Sequence, residues 1–492
     1  MASDQGLSRR DFLKAAGISL VAAACAPGAA PTTTAAPGTT AAPGTTAAPG
    51  TTAAVTTTAV AAAAEPATSF VEPATALSGD LRILLWSHFV PAHDVWFDGF
   101  VQEWGDQVGV NVTVDHVDVA SVPAAIASEI QAGEGHDLMH YIAVLSQHEP
   151  SVVDMADVVD EATSRYGEML DLTRRSSFNP NTGKFYAYAP AWVPDPGDYR
   201  KSLWEQVGFP DGPSTWDELL EGGSRIKDEL GVQMGIGLSE EIDSSMAARA
   251  LLWSFGASIQ DENENVVFNS PETLAAVEYM VELFNGAMTP EVFAWNAASN
   301  NQGLIAGELS YILNSISAYR TAQEQVPDIA EDIFFVPALE GPATALAAQH
   351  VMYNWIIPDR ANVNVGAAQE FLLHYTENLA PAAWNSKLYD FPGFPERVPD
   401  LDAWLDNDPF GSQPADKLSV LKTALDWATN IGHPGPANPA VGEIFNSRIV
   451  EVALAKAARG DLDPQAAIDE AEGQINSIFE TWRQQGLVGG GA

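Results

Sequence analysis

The sequence predicts an α/β protein of at least two lobes, and three observations carry that reading. A buried-strand pattern, a helical stretch and an alternating strand follow one another where the folded chain begins, the order of a βαβ unit. Capped helices fill most of the remainder, interrupted by short apolar strands. About 415 residues follow from Ser78, more than one hydrophobic core ordinarily holds.

Leu81-Arg82-Ile83-Leu84-Leu85-Trp86 shows no polar alternation, so it reads as a strand buried on both faces. A helix is expected around residues 95–104. Val110, Val112 and Val114 then alternate with polar residues as a second strand. Thr215 with Glu218 forms a capping box ahead of Leu219, Ile226 and Leu230, and Gly231 stands where a C-terminal cap belongs. Ser270-Pro271 opens a helix with Leu274, Val277, Val281 and Phe284 on one face. Short strands are expected at 333–336 and 351–357. Asp463-Pro464 opens the last helix, with Ile468, Ala471, Ile475 and Ile478 turned inward.

The segment ahead of the folded chain is of another kind. Arg9 and Arg10 precede an apolar run from Ala15 to Ala24, and Cys25 follows it as the only cysteine. That arrangement has the form of a twin-arginine export signal. The run is too short for the ~20 residues that span a bilayer as a helix. Cys25 behind Ala22-Ala23-Ala24 resembles a lipoprotein attachment site, although Leu20 lies further upstream than such boxes usually place it. From Ala26 onward Ala, Pro, Gly and Thr dominate, with AAPGTT three times in succession. Such a composition buries too little apolar surface to fold, so residues 26–77 are expected to be a disordered tether reaching roughly 40 Å. The protein is therefore expected outside the cytoplasmic membrane, held by a lipid anchor alone.

Twenty-three basic residues stand against 65 acidic ones, a formal charge of −42. Nucleic acid and anionic lipid are repelled by such a surface. The acids are dispersed along the chain, the pattern of a hydrated surface more than of a cation trap.

Several segments in fixed order resemble one family. They are GKFYAYAP from Gly183 to Pro190, Asp198-Tyr199-Arg200-Lys201-Ser202-Leu203-Trp204, Ser214-Thr215-Trp216-Asp217-Glu218-Leu219, and Leu251-Leu252-Trp253-Ser254-Phe255-Gly256. Ile305-Ala306-Gly307-Glu308-Leu309 leading to Asn314, Phe335-Val336-Pro337-Ala338-Leu339, and Ile431-Gly432-His433-Pro434-Gly435-Pro436 continue the series. Together they resemble extracellular solute-binding protein family 1, the maltose-binding-protein-like lipoproteins that feed ABC importers. The resemblance implies a two-lobed periplasmic-binding-protein-like type II fold with a ligand cleft between the lobes. It places residues 78–190 and 341–384 in lobe 1, and 191–340 and 385–492 in lobe 2. It implies a monomer that captures an oligosaccharide or polyol for an ABC permease, without cofactor and without catalysis. Two departures from the family pattern, His136-Asp137 and Met352-Tyr353-Asn354-Trp355, lie near the cleft in relatives.

A sugar ring stacks an apolar face on an aromatic plane while its hydroxyls need fixed donors and acceptors. Trp86, Trp192 and Trp355 stand at segment edges in a way that suits such a shelf. On the family pattern, strand ends supply Trp86, Ser87 and Tyr141, and the crossing segments supply Trp192, Asp195, Tyr353, Asn354 and Trp355. Trp253, Asn314, Phe394 and His433 complete the expected site, with Trp355 foremost. Six of the nine histidines fall between His88 and His148. His136 and His140 are four apart, but on a strand that separation is ~13 Å, too far for one metal, and none is expected. The sequence contains no GxSxG elbow, HExxH motif or phosphate loop. A glycan-cleaving or metal-dependent envelope enzyme is the alternative from another class, and a receptor for a non-sugar solute the alternative within binding proteins.

Overall fold

The computed structural model describes residues 63–491. The expected export signal with Arg9 and Arg10, the lipidation site Cys25 and most of the tether lie outside the described residues. The chain begins with β1 (Gly79–Trp86), α1 (Pro91–Val108), β2 (Val110–Val117), α2 (Val122–Ala132) and β3 (Leu138–Tyr141). After a crossing come β4 (Ala191–Val193), β5 (Gly197–Arg200), α3 (Trp216–Arg225), β6 (Gln233–Gly235), α4 (Ile242–Ser254), α5 (Pro271–Ala287), β7 (Leu309–Leu313) and β8 (Ile333–Val336). Then follow β9 (Val351–Met352), β10 (Asn354–Ile356), α6 (Val365–Glu377), β11 (Phe391–Pro392), α7 (Pro439–Asn446), α8 (Ile449–Arg459) and α9 (Pro464–Gln484).

Two four-stranded sheets organise these elements. The first runs β10-β3-β1-β2, with β1 parallel to both neighbours and β10 antiparallel to β3. Leu81, Ile83, Leu84 and Leu85 are buried on both faces of its central strand, as the unbroken apolar run requires. Gly109 ends α1 with φ +77°, a left-handed cap that returns the chain at once into β2. The second sheet runs β8-β5-β7-β6. A third, of only three strands, runs β9-β4-β11 and is made entirely of crossing segments. There Gly393 is required by close approach, because a Cβ would meet the backbone oxygens of Pro190 and Ala189 at 2.7 and 2.8 Å.

Three local expectations are corrected. Thr215 caps α3 by accepting from the Glu218 N–H, but the Glu218 carboxylate accepts from Ser214, one residue before the expected partner. On α5 the buried stripe runs through Thr273, Val277, Met280 and Leu283, while Leu274, Val281 and Phe284 are half-buried. The buried stripe is wider than one face because both α3 and α8 pack against this helix. Order also begins earlier than the tether boundary at 77. The backbone of Ser69 exchanges hydrogen bonds with Asn378 (2.7 and 2.9 Å), Ala74 N–H donates to Glu370, and Phe70 lies 6.1 Å from His374. The composition shift at Glu65-Pro66, followed by Phe70 and Val71, gives this stretch side chains that can dock on α6.

Candidate functional site

The carboxyl end of β1, the end of β3, the loop between β4 and β5, and the start of α4 converge beside the crossing strands. The buried polar side chains of the β4–β5 loop, the start of α4 and the residue ahead of β9 form one connected group, with the ends of β1 and β3 beside it. His350, just before β9, holds Nδ1 2.9 Å from Asp195 Oδ1, and its Nε2 lies 3.9 Å from Asp243. Burial opposes a charge on His350, yet Asp195, with Asp243 and Glu241 behind it, holds its pKa above the usual imidazole value. Glu241 caps α4, its carboxylate accepting from the N–H groups of Asp243 and Ser244 that the helix start leaves orphaned. Asp243 in turn accepts from Asn300 at 2.8 Å, and Asn301 accepts from Asn314.

Four carboxyls, Asp195, Asp198, Glu241 and Asp243, are thus buried in this region. Burial pushes Asp198 and Asp243 well above the ordinary carboxylate range, each with a neighbouring acid adding to the effect. Asp195 Oδ2, both oxygens of Asp198, the Ser315 hydroxyl and the Tyr389 hydroxyl have no partner. Buried polar atoms are almost always satisfied, so these atoms are open to a further partner. Apolar surface stands next to them. Phe89 lies 6.5 Å from both His350 and Tyr389, and 4.9 Å from Trp86. Arg448, between α7 and α8, contributes a cation. It has φ +55°, rare for a residue with a side chain, and its guanidinium reaches the Ser245 hydroxyl.

Of the residues expected from sequence, the structure brings Asp195 and Asn314 into this group, and Asn314 N–H donates to Pro196 O at 3.2 Å. Trp86 ends β1 beside it, its indole donating to His140 Nδ1 at 3.1 Å. Ser87 is exposed at the same strand end. Tyr141 ends β3, where burial raises its pKa against the opposing Arg448. Trp253 meets His433 edge-on at 5.6 Å, and His433 bonds Thr429 on the stretch beside Gln349. Burial lowers His433 to about 4.

Other expected residues lie elsewhere. Trp355 is core. It is 1 % exposed and packs on His140 at 4.4 Å, Phe97 at 6.2 Å and Tyr375 at 6.1 Å, beneath the first sheet. Strand alternation sends Tyr353 to the same side, where its hydroxyl meets His88 and Asp390, and turns Asn354 to donate to Ala143 O at 2.9 Å. Phe394 is fully buried against Tyr188. Trp192 packs on Phe391 and lines a groove of about 250 Å³ with Leu421 and Leu425. His136 and His140 do not share a partner: His136, ahead of β3, bonds Glu129 and Asp115 while His140 faces Trp86.

Sequence reasoning missed His350, Glu241, Asp243, Tyr389, Phe89 and Arg448. The polar pair Gln349-His350 between two apolar runs was the one usable signal. The others gain meaning only from folding.

Comparison with known proteins identifies the family and the fold. Residues 99–409 match the family model described as bacterial extracellular solute-binding protein. The chain belongs to that family. Binding proteins of Brucella abortus and Brucella suis, so named provisionally, are 25% identical over 149 residues. That match covers 30% of this solute-binding protein and 36% of each relative, about a third of their length.

Solved structures share the fold at greater extent. A Synechococcus sp. MITs9220 protein, provisionally described as an oligosaccharide periplasmic-binding protein and in complex with zinc, superposes with TM-score 0.69 at 20% identity, covering 82% of this chain and 100% of its own. MalE3 of T. maritima, with maltose bound, gives 0.67 at 19% over 81% and 100%. A sugar transporter of Arthrobacter chlorophenolicus A6, with laminaribiose, gives 0.68 at 17% over 81% and 99%. The α/β fold is thus that of the two-lobed periplasmic sugar-binding proteins. Family and neighbours are binding proteins, and the family places this one outside the cytoplasm. No helix among the described residues is long and apolar enough to cross a membrane.

Proposed function

We propose that this solute-binding protein captures a carbohydrate, an oligosaccharide or polyol, and delivers it to an ABC permease. The observation that carries the reading is the group of buried, unpartnered acceptors and hydroxyls at Asp195, Ser315 and Tyr389, set beside Phe89 and Trp86. Carboxylates accept hydrogen bonds from sugar hydroxyls, and an aromatic face takes the C–H surface of the ring. Neighbours of the same fold crystallised with maltose and laminaribiose support it. The proposed contacts are Trp86, Ser87, Tyr141, Asp195, Asn314 and His433, joined by His350 and Asp243. The lobes would be 78–190 with 341–384, and 191–340 with 385–492, closing on the ligand as a hinge.

Attachment through a lipid on Cys25 after twin-arginine export is part of the same proposal, with the protein acting as a monomer. Cys25→Ala should then move the protein from the membrane fraction to the medium. Mass spectrometry of ligand released from gently purified protein tests the function. A bound glycan supports it, and turnover of that glycan would replace the receptor with an enzyme. A second reading rests on the four buried acids, which also suit a solute bearing an amine. Titration calorimetry with neutral and amino sugars separates the two.

A further inference from the structure

Beneath Trp86 and Phe89 lies a constellation that solute capture does not use. His88 and His93 stand on either side of the corner from β1 into α1, and Asp390 just ahead of β11. All three are buried, and one ligating atom of each lies within 4.8 Å of the others. His88 Nε2 is 3.4 Å from Asp390 Oδ1, and His93 Nε2 is 3.6 Å from Asp390 Oδ2. Ligands placed tetrahedrally around zinc at ~2.0–2.1 Å stand about 3.3 Å from one another. Each histidine-to-carboxylate separation is close to that figure, one to each oxygen of Asp390.

The hydrogen bonding is incomplete at the same place. Neither ring nitrogen of His93, which is 5 % exposed, has a partner, and neither does Asp390 Oδ2. His88 Nδ1 accepts from the Val90 N–H at 2.9 Å and lies 3.1 Å from the Val90 carbonyl oxygen, which fixes the ring with Nε2 2.8 Å from the Tyr353 hydroxyl and 3.4 Å from Asp390 Oδ1. A metal on Nε2 requires Nδ1 to carry the hydrogen and donate it to the Val90 carbonyl oxygen at 3.1 Å, as ligating histidines donate through their other nitrogen. A cavity of about 10 Å³ opens among His88, His93, His140 and Tyr353, room for one water-sized guest. The Trp86 indole can only donate, so His140 Nδ1 accepts and its unpartnered Nε2 carries hydrogen. That N–H suits an oxygen bound to an ion.

We infer that His88, His93 and Asp390 bind one divalent transition-metal ion of the zinc type, with water or hydroxide as its fourth ligand. The ion joins the loop after β1 to the segment entering the crossing strand β11, and so fixes the floor under the solute cleft. This reverses the expectation of no metal, at a trio other than His136 and His140, and it is independent of which solute is bound.

The full chain, stripped with a chelator and free of sugar, is titrated with Co²⁺ and Zn²⁺. The site predicts uptake of one equivalent of Co²⁺ with the intense visible bands of four-coordination, displacement by Zn²⁺, and a melting temperature raised by several degrees. His93→Gln should lower Co²⁺ affinity at least a hundredfold. Because His93 makes no hydrogen bond, this variant decides the matter even if Asp390→Asn fails to fold. His136→Gln, at the more exposed Glu129–Asp115 cluster, should leave uptake unchanged. Absence of uptake, a weak six-coordinate spectrum at millimolar metal only, or loss of binding in His136→Gln but not in His93→Gln would overturn the assignment.

Discussion

Trp355→Ala distinguishes a tryptophan that touches ligand from one that holds a lobe together. The indole lies beneath the first sheet, stacked on His140 and bounded by Phe97, Phe371 and Tyr375 from α1 and α6. Burial of an aromatic side chain removes ~150–250 Å² from water, and at ~25 cal/mol per Å² this is about 4–6 kcal/mol. Tryptophan-to-alanine changes in cores cost about 3–5 kcal/mol, because the surroundings collapse only in part. For roughly 430 ordered residues, an unfolding entropy near 2.1 cal/mol/K per residue makes each degree worth about 0.9 kcal/mol. The ligand-free melting temperature should therefore fall by about 3–6 °C, followed by scanning calorimetry. Solute affinity, measured by titration calorimetry, should change less than about threefold, since no cleft group among those described rests on the indole. A hundredfold loss of affinity with an unchanged melting temperature would refute the packing argument and return Trp355 to the cleft.

Asp195→Asn keeps the shape of the cleft while removing the charge facing His350, and should weaken solute binding about ten- to a hundredfold by calorimetry; unaltered affinity would place the ligand elsewhere. Asp198→Asn addresses pH. The folded-state pKa of Asp198 is raised above its unfolded value by burial, so its contribution is complete below about pH 4 and is lost as pH rises through the folded pKa. The variant should match the parent at low pH and melt a few degrees higher at pH 8, and equal melting at both would show the carboxyl to be hydrated. Glu451→Gln strands the Arg249 guanidinium, 1 % exposed and 3.0 Å from the carboxylate, and should cost about 3 kcal/mol or more in urea unfolding. A loss under about 1 kcal/mol would show that the pair adds nothing to the docking of α8 on α4.

The sequence was informative wherever a local pattern decides the structure. The strand at Leu81, the cap at Ser270 and the last helix from Pro464 formed as their periodicity required. It was least informative where two segments hundreds of residues apart meet. His88 and Asp390 share no sequence signal, and the five-residue spacing of His88 and His93 spans a strand-to-helix corner that no helical or strand template describes. Trp355 misled for a related reason. Its position in the family pattern suggests the cleft, but alternation along β10 decides which way the ring points, and the register Trp355 with His140 turns it to the helix side.

The charge balance becomes interpretable once the basic residues are followed individually. Many of the scarce cations are occupied in holding backbone carbonyls. Lys184 reaches the oxygens of Glu149 and Val152, Lys227 those of Asn285 and Met288, Lys417 those of Ala330 and Glu331, and Arg175 that of Pro434. Arg249 and Arg320 are buried against Glu451 and Asp408. What reaches the proposed cleft is Arg448 and a His350 already paired with Asp195, facing four buried acids. Recognition of a phosphate or carboxylate needs several convergent cationic donors. A polyhydroxy solute needs acceptors for its hydroxyls, and the unpartnered oxygens of Asp195 and Asp198 are open to serve as such. A dispersed surface excess of acid suits hydration, whereas an excess in the proposed cleft would disfavour an anionic solute.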